Sequence, residues 1–550
     1  MTDHARRAVV VGAPLLAWLA IQPFAAQLPV GVVLPLALLV TGVLPGLAIA
    51  GRVTTGWRSE ERFALAALLS PALVSAVSLV TRSLGGTERL AVTIVVAMIA
   101  FVSLAPGSAP SAPVASREAR RPVWPFVLAA LLAAAHLASA ALAWRSDGAF
   151  HAGVVHALAR GVSPEDPFLA GLPLRYFWGW HGWAACVLAT VPQIPATLLL
   201  ASSSVLAFAA ALVGVSSLAA SLGAEARARG WAIVLLLVGA APFAWLTLAG
   251  HALVGETRGL AELEPVLAHG GDLALRALDP GFLHPSLVLP LDKFVVVTPF
   301  AWGLAGAFML VRVLTDALAQ ANVRAGSAVA LTSAAIVFLH PAAGLLLVVA
   351  SAVALLALAA AGRVTWRAAG VALVTCALGA LAALPYLAHL APAGGGGATA
   401  LRFGLDARGA LSVVWGGLVL LPLAWLALRR ADSTPGALVG GQLAVLLVPA
   451  LILRAGGDNQ SKALNLAFAL AAAPAAIALA AWTTTRARRI AALGLAILAW
   501  APALAAMLFA YAHEGQARPA SRRCRHLRLQ FRHQLRGDAV SVDDLHGGAI

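Results

Sequence analysis

Charged residues are scarce in this sequence. They make up 11% of its 550 residues, while hydrophobic residues make up 61%. Soluble globular proteins are about 25% charged and about 45–50% apolar. The shortage of charge excludes a soluble enzyme, and the abundance of apolar residues excludes a disordered or fibrous chain. The apolar residues occur in runs of roughly 18 or more, which is the length needed to cross a bilayer core.

Cysteine and lysine are also rare. The three cysteines are Cys186, Cys376 and Cys524, and the first two lie in apolar segments, so no disulfide framework or metal cluster is predicted. Lysine occurs only as Lys293 and Lys462, and arginine carries nearly all of the positive charge. Arginine in short loops is typical of the cytoplasmic side of a membrane protein. The net charge of +15 therefore does not indicate nucleic acid as a partner.

Several common motifs are missing. The sequence has no GxxxxGK[ST] phosphate loop, no HExxH zinc-binding helix and no GxSxG nucleophile turn. It also lacks the alternation of apolar and polar residues that is typical of a membrane β-barrel. The sequence therefore predicts an all-α fold, a polytopic transmembrane bundle of about 14–16 spans.

The arginine-rich segments predict the orientation of this bundle. They lie at 52–62, 117–121, 227–229, 312–324, 363–367, 429–430 and 486–489. With these segments in the cytoplasm, four other loops lie outside, at 145–181, 251–293, 391–409 and 455–462. Each apolar run that crosses the membrane moves the chain to the other side. From residue 230 onward, the number of runs between successive loops places each loop on the side that this orientation requires. The number agrees less well at 182–222, which is long enough for two helices and contains Pro192 and Pro195.

Four regions are predicted along the chain. Residues 1–104 form an N-terminal transmembrane extension, and residues 105–123 form a cytoplasmic linker. Residues 124–511 form the transmembrane core, with amphipathic helices in its two long outer loops. The tail at 512–550 is basic and predicted to be disordered. The predicted location is the bacterial cytoplasmic membrane, because arginine in place of lysine is typical of GC-rich bacterial genomes.

The first outer loop begins with a predicted amphipathic helix. Asp147 and His151 are four residues apart, so they share one face of this helix. Val154, Val155 and Leu158 are expected on the side that faces the membrane. The helix is therefore predicted to rest at the membrane surface.

Further polar residues follow in the same loop. Glu165 and Asp166 are adjacent carboxylates in a predicted turn. Arg175, Tyr176 and His181 then lead into the next apolar run. This arrangement places acids, cations and histidines together beside the membrane.

Two interpretations of the first loop remain open. In the first, Asp147 only caps a helix, and Trp178 and Trp180 only anchor the chain in the aromatic belt at the membrane surface. That interpretation does not explain why His151 and His181 accompany them. In the second, these residues form a functional site.

The two lysines lie at boundaries between outer loops and apolar runs. The second outer loop contains Asp279 and His284 and ends at Lys293, while Lys462 lies at a later boundary. Both lysines are predicted to lie on the same side of the membrane. Ammonium groups can bind a phosphate there, and snorkelling or ordinary surface charge is the alternative.

His340 and Pro341 interrupt the long apolar stretch at 326–361. They predict either the tip of a helical hairpin or a kink. An ionisable residue within a membrane segment is a functional candidate. The alternative is a neutral histidine bonded to a backbone carbonyl.

Together these features resemble the GT-C class of membrane glycosyltransferases. The residues similar to the first outer loop of bacterial and archaeal members that use polyprenyl-phosphate sugars are Asp147, His151, Gly161, 164–167, Gly171, Leu174, Tyr176 and His181. His340, Pro341 and the boundary at 458–462 are similar to late features of such proteins. The resemblance covers roughly residues 124–511.

The resemblance implies a GT-C-like fold and an inverting transfer of sugar. The donor is a polyprenyl-phosphate sugar, and the acceptor is a glycan, lipid or protein at the outer face of the membrane. Asp147 is implied as the general base that takes the proton from the acceptor hydroxyl. Cations would stabilise the leaving phosphate, and Lys293, Lys462 and Arg175 are the candidates.

The resemblance also implies a set of binding residues. The residues expected to bind substrate are His151, Glu165, Asp166, Arg175, Tyr176, His181, Asp279, His284, Lys293, His340 and Lys462. No cofactor is required by the resemblance. It leaves open a divalent cation at Asp147, Glu165 and Asp166, because hard cations prefer carboxylates.

Two other functions remain open. One is a transporter or lipid flippase, and such proteins often bind substrate near the bilayer midplane. Most carboxylates of this chain lie in outer loops, which favours chemistry at the membrane surface. The other is a noncatalytic relative of the glycosyltransferases.

Overall fold

The structure is a computed structural model of the chain. The residues that it describes are 13–54, 56–104, 123–138, 148–161, 165–166, 169–174, 176–240, 290–390, 402–405, 407–454 and 461–514. These residues form an all-α, polytopic helical bundle, as predicted.

The helices are numbered along the chain. Those before residue 240 are α1 Ala13–Ile21, α2 Val30–Gly42, α3 Leu44–Val53, α4 Ser59–Ser83, α5 Glu88–Leu104, α6 Trp124–Ala138, α7 Gly148–Ala159, α8 Gly179–Thr190, α9 Ala196–Ser221 and α10 Ala226–Val238. Those after residue 290 are α11 Asp292–Val295, α12 Phe300–Gln320, α13 Val323–Leu339, α14 Pro341–Ala360, α15 Trp366–Ala382, α16 Leu384–Leu390, α17 Ala407–Gly416, α18 Leu420–Leu428, α19 Thr434–Ile452, α20 Ser461–Trp482 and α21 Arg486–Glu514. A short 3-10 helix, Gln22–Gln27, follows α1.

Two short antiparallel strand pairs accompany the helices. Strand β1 (Glu165–Asp166) pairs with β2 (Leu169–Pro173), and β3 (Arg402–Phe403) pairs with β4 (Leu453–Arg454).

Seven helical segments among the described residues are long and apolar enough to cross a membrane. They are Val30–Val53, Ser59–Ser83, Ala196–Ser221, Phe300–Gln320, Pro341–Ala360, Thr434–Ile452 and Ser461–Trp482. The pair α17 and α18, bent by 72°, gives an eighth if it forms one span. The sequence predicts about 14–16 spans because it also counts shorter apolar helices such as α6, α13 and α15, and segments outside the described residues.

The stretch at 182–222 contains two helices, but only one is long enough to cross a membrane. The chain breaks between α8 and α9 near Pro192 and Pro195. Helix α8 has 12 residues and is therefore about 18 Å long, too short for an apolar core of about 30 Å. Helix α9 has 26 residues.

Helices α13 and α14 form a hairpin with His340 at its tip, rather than a kinked helix. A Cβ atom on Gly344 would lie 2.5 Å from the Cα atom of Val337. Residues seven apart in a straight helix are separated by about 10 Å along its axis. Glycine is therefore required where the two arms of the hairpin meet. Pro341 occupies the first position of α14, where no amide hydrogen is needed.

Helix α9 extends from one end of the bundle to the other. Near its start, Ser203 accepts a hydrogen bond of 2.8 Å from Nε1 of Trp180 in α8. Near its end, Ser217 donates a hydrogen bond to Glu61 in α4. The two serines are fourteen residues apart, which is about 21 Å. We call the end that holds Trp180 and His340 the site end, and the end that holds Glu61 the arginine end.

Helices from the predicted N-terminal extension pack into the same bundle as those of the predicted core. Helix α4 packs against α8, α9 and α13. The hydroxyl of Ser75 in α4 donates a hydrogen bond to the carbonyl of Gly179, the first residue of α8. All of these helices contribute to one hydrophobic interior, so α4 helps to position the site end.

The predicted helix in the first outer loop is present as α7, but its apolar face does not lie against lipid. Val154, Val155 and Leu158 are buried within the protein, and α7 packs against α8 and α9. Apolar side chains can be buried by protein or by lipid, so the sequence pattern alone does not distinguish the two.

Candidate functional site

Four helices, α8, α12, α14 and α20, begin around one point at the site end. The ring centre of His340, just before α14, lies 4.7 Å from that of Phe177 and 5.3 Å from that of Phe300. Phe177 precedes α8, and Phe300 is the first residue of α12. Near the start of α20, Nζ of Lys462 lies 5.3 Å from the ring centre of Phe177. The amides at a helix start carry positive partial charge, so this point favours an anion.

His340 is fixed at the tip by the backbone of α14. Its Nδ1 accepts a hydrogen bond of 3.0 Å from the amide of Ala343, and the side chain is 1% exposed. The backbone partner of Nδ1 is therefore an amide. A neutral imidazole whose Nδ1 accepts carries its proton on Nε2. The Nε2 atom is thus a hydrogen-bond donor beside the helix starts.

Both lysines of the chain lie near this point. Lys462 is over the ring of Phe177, within the range of a cation–π interaction. Lys293 in α11 is close enough for its charge to act on Lys462, and the charge of Lys462 acts in turn on His340. The two lysines therefore lie in the same part of the bundle.

Tyr176 and Phe177 connect the lysines to a pair of histidines. Their rings are stacked, with centres 4.2 Å apart and planes at 24°. The ring of Tyr176 lies 5.8 Å from that of His151 and 5.9 Å from that of His181. Both aromatic residues are half-buried. The stacked pair therefore forms a wall with the histidines at one end and Lys462 at the other.

The two histidines form a buried pair that joins α7 to α8. Nδ1 of His151 lies 2.8 Å from Nε2 of His181, and the side chains are 1% and 0% exposed. Burial lowers the pKa of His151 to about 4. Burial, followed by repulsion from His151, lowers the pKa of His181 well below its usual range. Both rings are therefore neutral at physiological pH.

A neutral histidine pair can transfer a proton. Two neutral rings carry two ring protons on four nitrogens, and one proton lies in the shared hydrogen bond. Of the two outer nitrogens, one therefore carries a proton and the other a lone pair. The pair can accept a proton at one end and release one at the other.

Close contacts fix the start of α8 beside the hairpin. The amide of Gly179 donates a hydrogen bond of 2.9 Å to the hydroxyl of Tyr386, and its carbonyl accepts one from Ser75. A Cβ atom on Gly179 would lie 2.1 Å from the carbonyl oxygen of Phe338 in α13. Only glycine allows the start of α8 to approach the hairpin tip this closely.

The structure brings together about half of the predicted site residues. Those that it places around the stacked aromatic wall are His151, Tyr176, His181, Lys293, His340 and Lys462. Those that lie outside the described residues are Asp147, Arg175, Asp279 and His284. Only the backbone is described at Glu165 and Asp166, where it forms β1 rather than the predicted turn. The antiparallel pairing with β2 explains this difference.

The two tryptophans are not membrane anchors. Trp178 is 3% exposed and Trp180 is 0% exposed. Both are buried because α8 lies inside the bundle, so the aromatic-belt interpretation of these residues is wrong. Their role is to pack the start of α8 against α9 and Tyr386.

The sequence analysis missed three aromatic residues of the site, Phe177, Phe300 and Tyr386. One available signal was the rarity of tyrosine, since the chain has three. Two of them, Tyr176 and Tyr386, lie at this site. Phenylalanine is common in apolar segments, so the sequence carries no comparable signal for the other two residues.

The divalent cation at Asp147, Glu165 and Asp166 stays an open possibility and not a prediction. Among the described side chains, no group of three or more histidines, cysteines or acids has the arrangement of a metal site. The side chains of Asp147, Glu165 and Asp166 are not among them.

Comparisons of the chain with known protein families, curated proteins and solved structures found no match.

Proposed function

We propose that the protein is a membrane glycosyltransferase that moves a sugar from a polyprenyl-phosphate donor to a glycan, lipid or protein acceptor. One observation carries this proposal: both lysines, His340 and four helix starts lie together beside a stacked aromatic wall. The wall separates them from the buried histidine pair.

The lysine end of the wall suits a phosphate. Two ammonium groups, the Nε2 donor of His340 and the amides of the helix starts all provide positive charge or hydrogen-bond donors. A lipid phosphate leaves with an additional negative charge during sugar transfer. Hydrogen-bond donors in fixed positions stabilise this charge as it develops, and they therefore lower the barrier of the reaction.

The wall itself suits a sugar ring. Tyr176 and Phe177 are half-buried, and each covers one face of the other, so a sugar would pack its C–H groups against the parts of the rings that remain exposed. A sugar against this wall would have its phosphate near Lys462 and its opposite face toward the histidine end. Inversion requires the leaving group and the acceptor to lie on opposite faces of the anomeric carbon.

The proposed reaction balances as a single displacement. Asp147 takes the proton of the acceptor hydroxyl, and the hydroxyl oxygen bonds to the anomeric carbon. The bond between that carbon and the phosphate oxygen breaks, and the electron pair leaves with the phosphate. Asp147 is expected one helical turn before His151, so the base would lie at the histidine end.

Transfer assays with Lys462 variants test the phosphate site. Purified protein is given radiolabelled polyprenyl-phosphate sugar, and transferred or released sugar is counted. Lys462→Met should lower turnover about 10- to 100-fold, because a charge-assisted contact contributes about 1.5–3 kcal/mol. The matched control is Arg160→Gln, which removes an exposed cation next to α7 and should leave turnover unchanged.

Asp147→Asn tests the base. Its turnover should fall about 10²- to 10⁴-fold, with binding of the donor lipid retained. Equal turnover by Asp147→Asn and the wild type would rule out Asp147 as the base. If vesicles containing the wild type move a fluorescent polyprenyl phosphate across the bilayer but transfer no sugar, the protein is a flippase and the proposal fails.

A further inference from the structure

Loops at the arginine end of the bundle join into one continuous surface. The guanidinium group of Arg227 donates a hydrogen bond of 2.8 Å to the carbonyl of Ala480, which joins the start of α10 to the end of α20. The side chain of Leu222 lies 3.8 Å from the position that a Cβ atom on Gly436 would occupy. The loop between α9 and α10 therefore also touches the start of α19.

A fourth loop completes this surface. The guanidinium group of Arg363, after α14, donates a hydrogen bond of 2.7 Å to the carbonyl of Asp432, after α18. The exposed arginines of the four loops, which we call the arginine surface, are Arg227, Arg363, Arg367, Arg429, Arg430, Arg486, Arg488 and Arg489. The only acids in these four loops are Glu225 and Asp432. Within the described part of the chain, none of the eight arginines forms an ion pair.

Exposed tryptophans border the arginine surface. Trp366 is 63% exposed, Trp425 is 67% exposed and Trp482 is 45% exposed. Each lies within four residues, about one helical turn, of an arginine of the surface. Ile490, next to the last of these arginines, is 63% exposed. Tryptophan beside exposed apolar helices is typical of the boundary between lipid headgroups and acyl chains.

We propose that the arginine surface binds the phosphate groups of anionic phospholipids. The guanidinium group offers paired donors that match phosphate oxygens. Basic residues at the surface of an acidic membrane attract its headgroups. The neighbouring tryptophans and apolar side chains favour a lipid over a soluble polyanion, since they provide a place for the acyl chains. This lipid site is independent of the proposed sugar transfer.

Thermal unfolding in defined lipids tests the site. The wild type in micelles supplemented with phosphatidylglycerol or cardiolipin should melt at a higher temperature than in phosphatidylcholine. The variant Arg363→Gln, Arg429→Gln and Arg430→Gln should lose this difference. Each arginine removed should weaken lipid binding about fivefold, which corresponds to about 1 kcal/mol per basic residue. Native mass spectrometry, which counts bound lipids, provides the affinity.

Two controls accompany the lipid experiment, one for the response to anionic lipid and one for the stability of the variant. Arg160→Gln, at the site end, should keep the wild-type response to anionic lipid. A double variant, Arg429→Gln and Arg430→Gln, retains Arg363 and its hydrogen bond to Asp432; it should melt like the wild type in phosphatidylcholine, because its substituted side chains are exposed, and should still lose most of the response to anionic lipid. An unchanged lipid response in the triple variant would overturn the proposal. Equal stabilisation by inorganic phosphate or by a short RNA would also overturn it, because the occupant would then be a soluble anion.

Discussion

The Nδ1 atom of His151 lies 2.8 Å from the Nε2 atom of His181, within a pair that joins α7 to α8. The pair touches the ring of Tyr176. Through the stacked rings of Tyr176 and Phe177, it is connected to Lys462. Side chains from three separate parts of the sequence therefore meet at this site.

The histidine pair should make stability depend on pH. The pKa of His151 is lowered by burial from 6.5 to about 4, so between these values the unfolded chain binds more protons than the folded protein. Stability is therefore complete above about pH 6.5 and is lost as the pH falls toward 4. The melting temperature should drop as the pH falls from about 6.5 to about 4, and His151→Gln should reduce that drop. The control is His156→Gln, on the exposed side of α7. Parallel curves for the wild type and His151→Gln would contradict the prediction.

Gly179→Ala should separate α8 from the hairpin tip. Its Cβ atom would lie 2.1 Å from a backbone carbonyl of α13, so backbone must move, and we expect a loss of about 1–3 kcal/mol in stability. In contrast, Gly31→Ala in α2 has no atom within 4 Å of its Cβ position and should be neutral or stabilise by up to about 1 kcal/mol. Thermal unfolding of both variants measures the difference. The prediction fails if the two melt alike.

His340 variants should separate its capping role from its donor role. His340→Ala removes the acceptor for the amide of Ala343, and loss of a helix cap costs about 1 kcal/mol. His340→Asn keeps a capping oxygen, so it should be more stable than the alanine variant. Both variants lose the Nε2 donor and should transfer sugar more slowly than the wild type. Turnover restored by asparagine would show that the cap alone matters.

Glu61→Gln should weaken the arginine end. Glu61 is 5% exposed; its Oε1 atom lies 3.3 Å from Arg58 and 3.8 Å from Arg312 and accepts a hydrogen bond from Ser217. Removing its charge leaves the positive charges of the two arginines without a compensating negative charge. We expect the free energy of unfolding to fall by about 2–3 kcal/mol.

The neighbouring acid provides the control. Glu60 contacts Arg58 at 3.5 Å, and pairs of this kind contribute at most about 1 kcal/mol. Glu60→Gln should therefore have the smaller effect on the melting temperature. A Glu60→Gln variant as unstable as Glu61→Gln would show that the buried position of Glu61 is not what matters.

Much of the fold could be predicted because hydropathy and proline act locally. Runs of apolar residues predict membrane helices whatever surrounds them, and His340-Pro341 marked a break that the structure shows to be a hairpin tip. The role of α8 could not be predicted. Its composition is that of a span, and only its length and its packing beside α9 show that it does not cross.

For the site, the sequence determined which residues were unusual, and the tertiary structure decided which of them meet. Lys293, Lys462, His340 and His181 were notable because polar residues are costly beside apolar segments. Nothing in their spacing showed that Phe177 would lie between Lys462 and His340. That contact depends on α8, α14 and α20 starting at the same point, and helices far apart in the sequence meet only through the packing of their side chains.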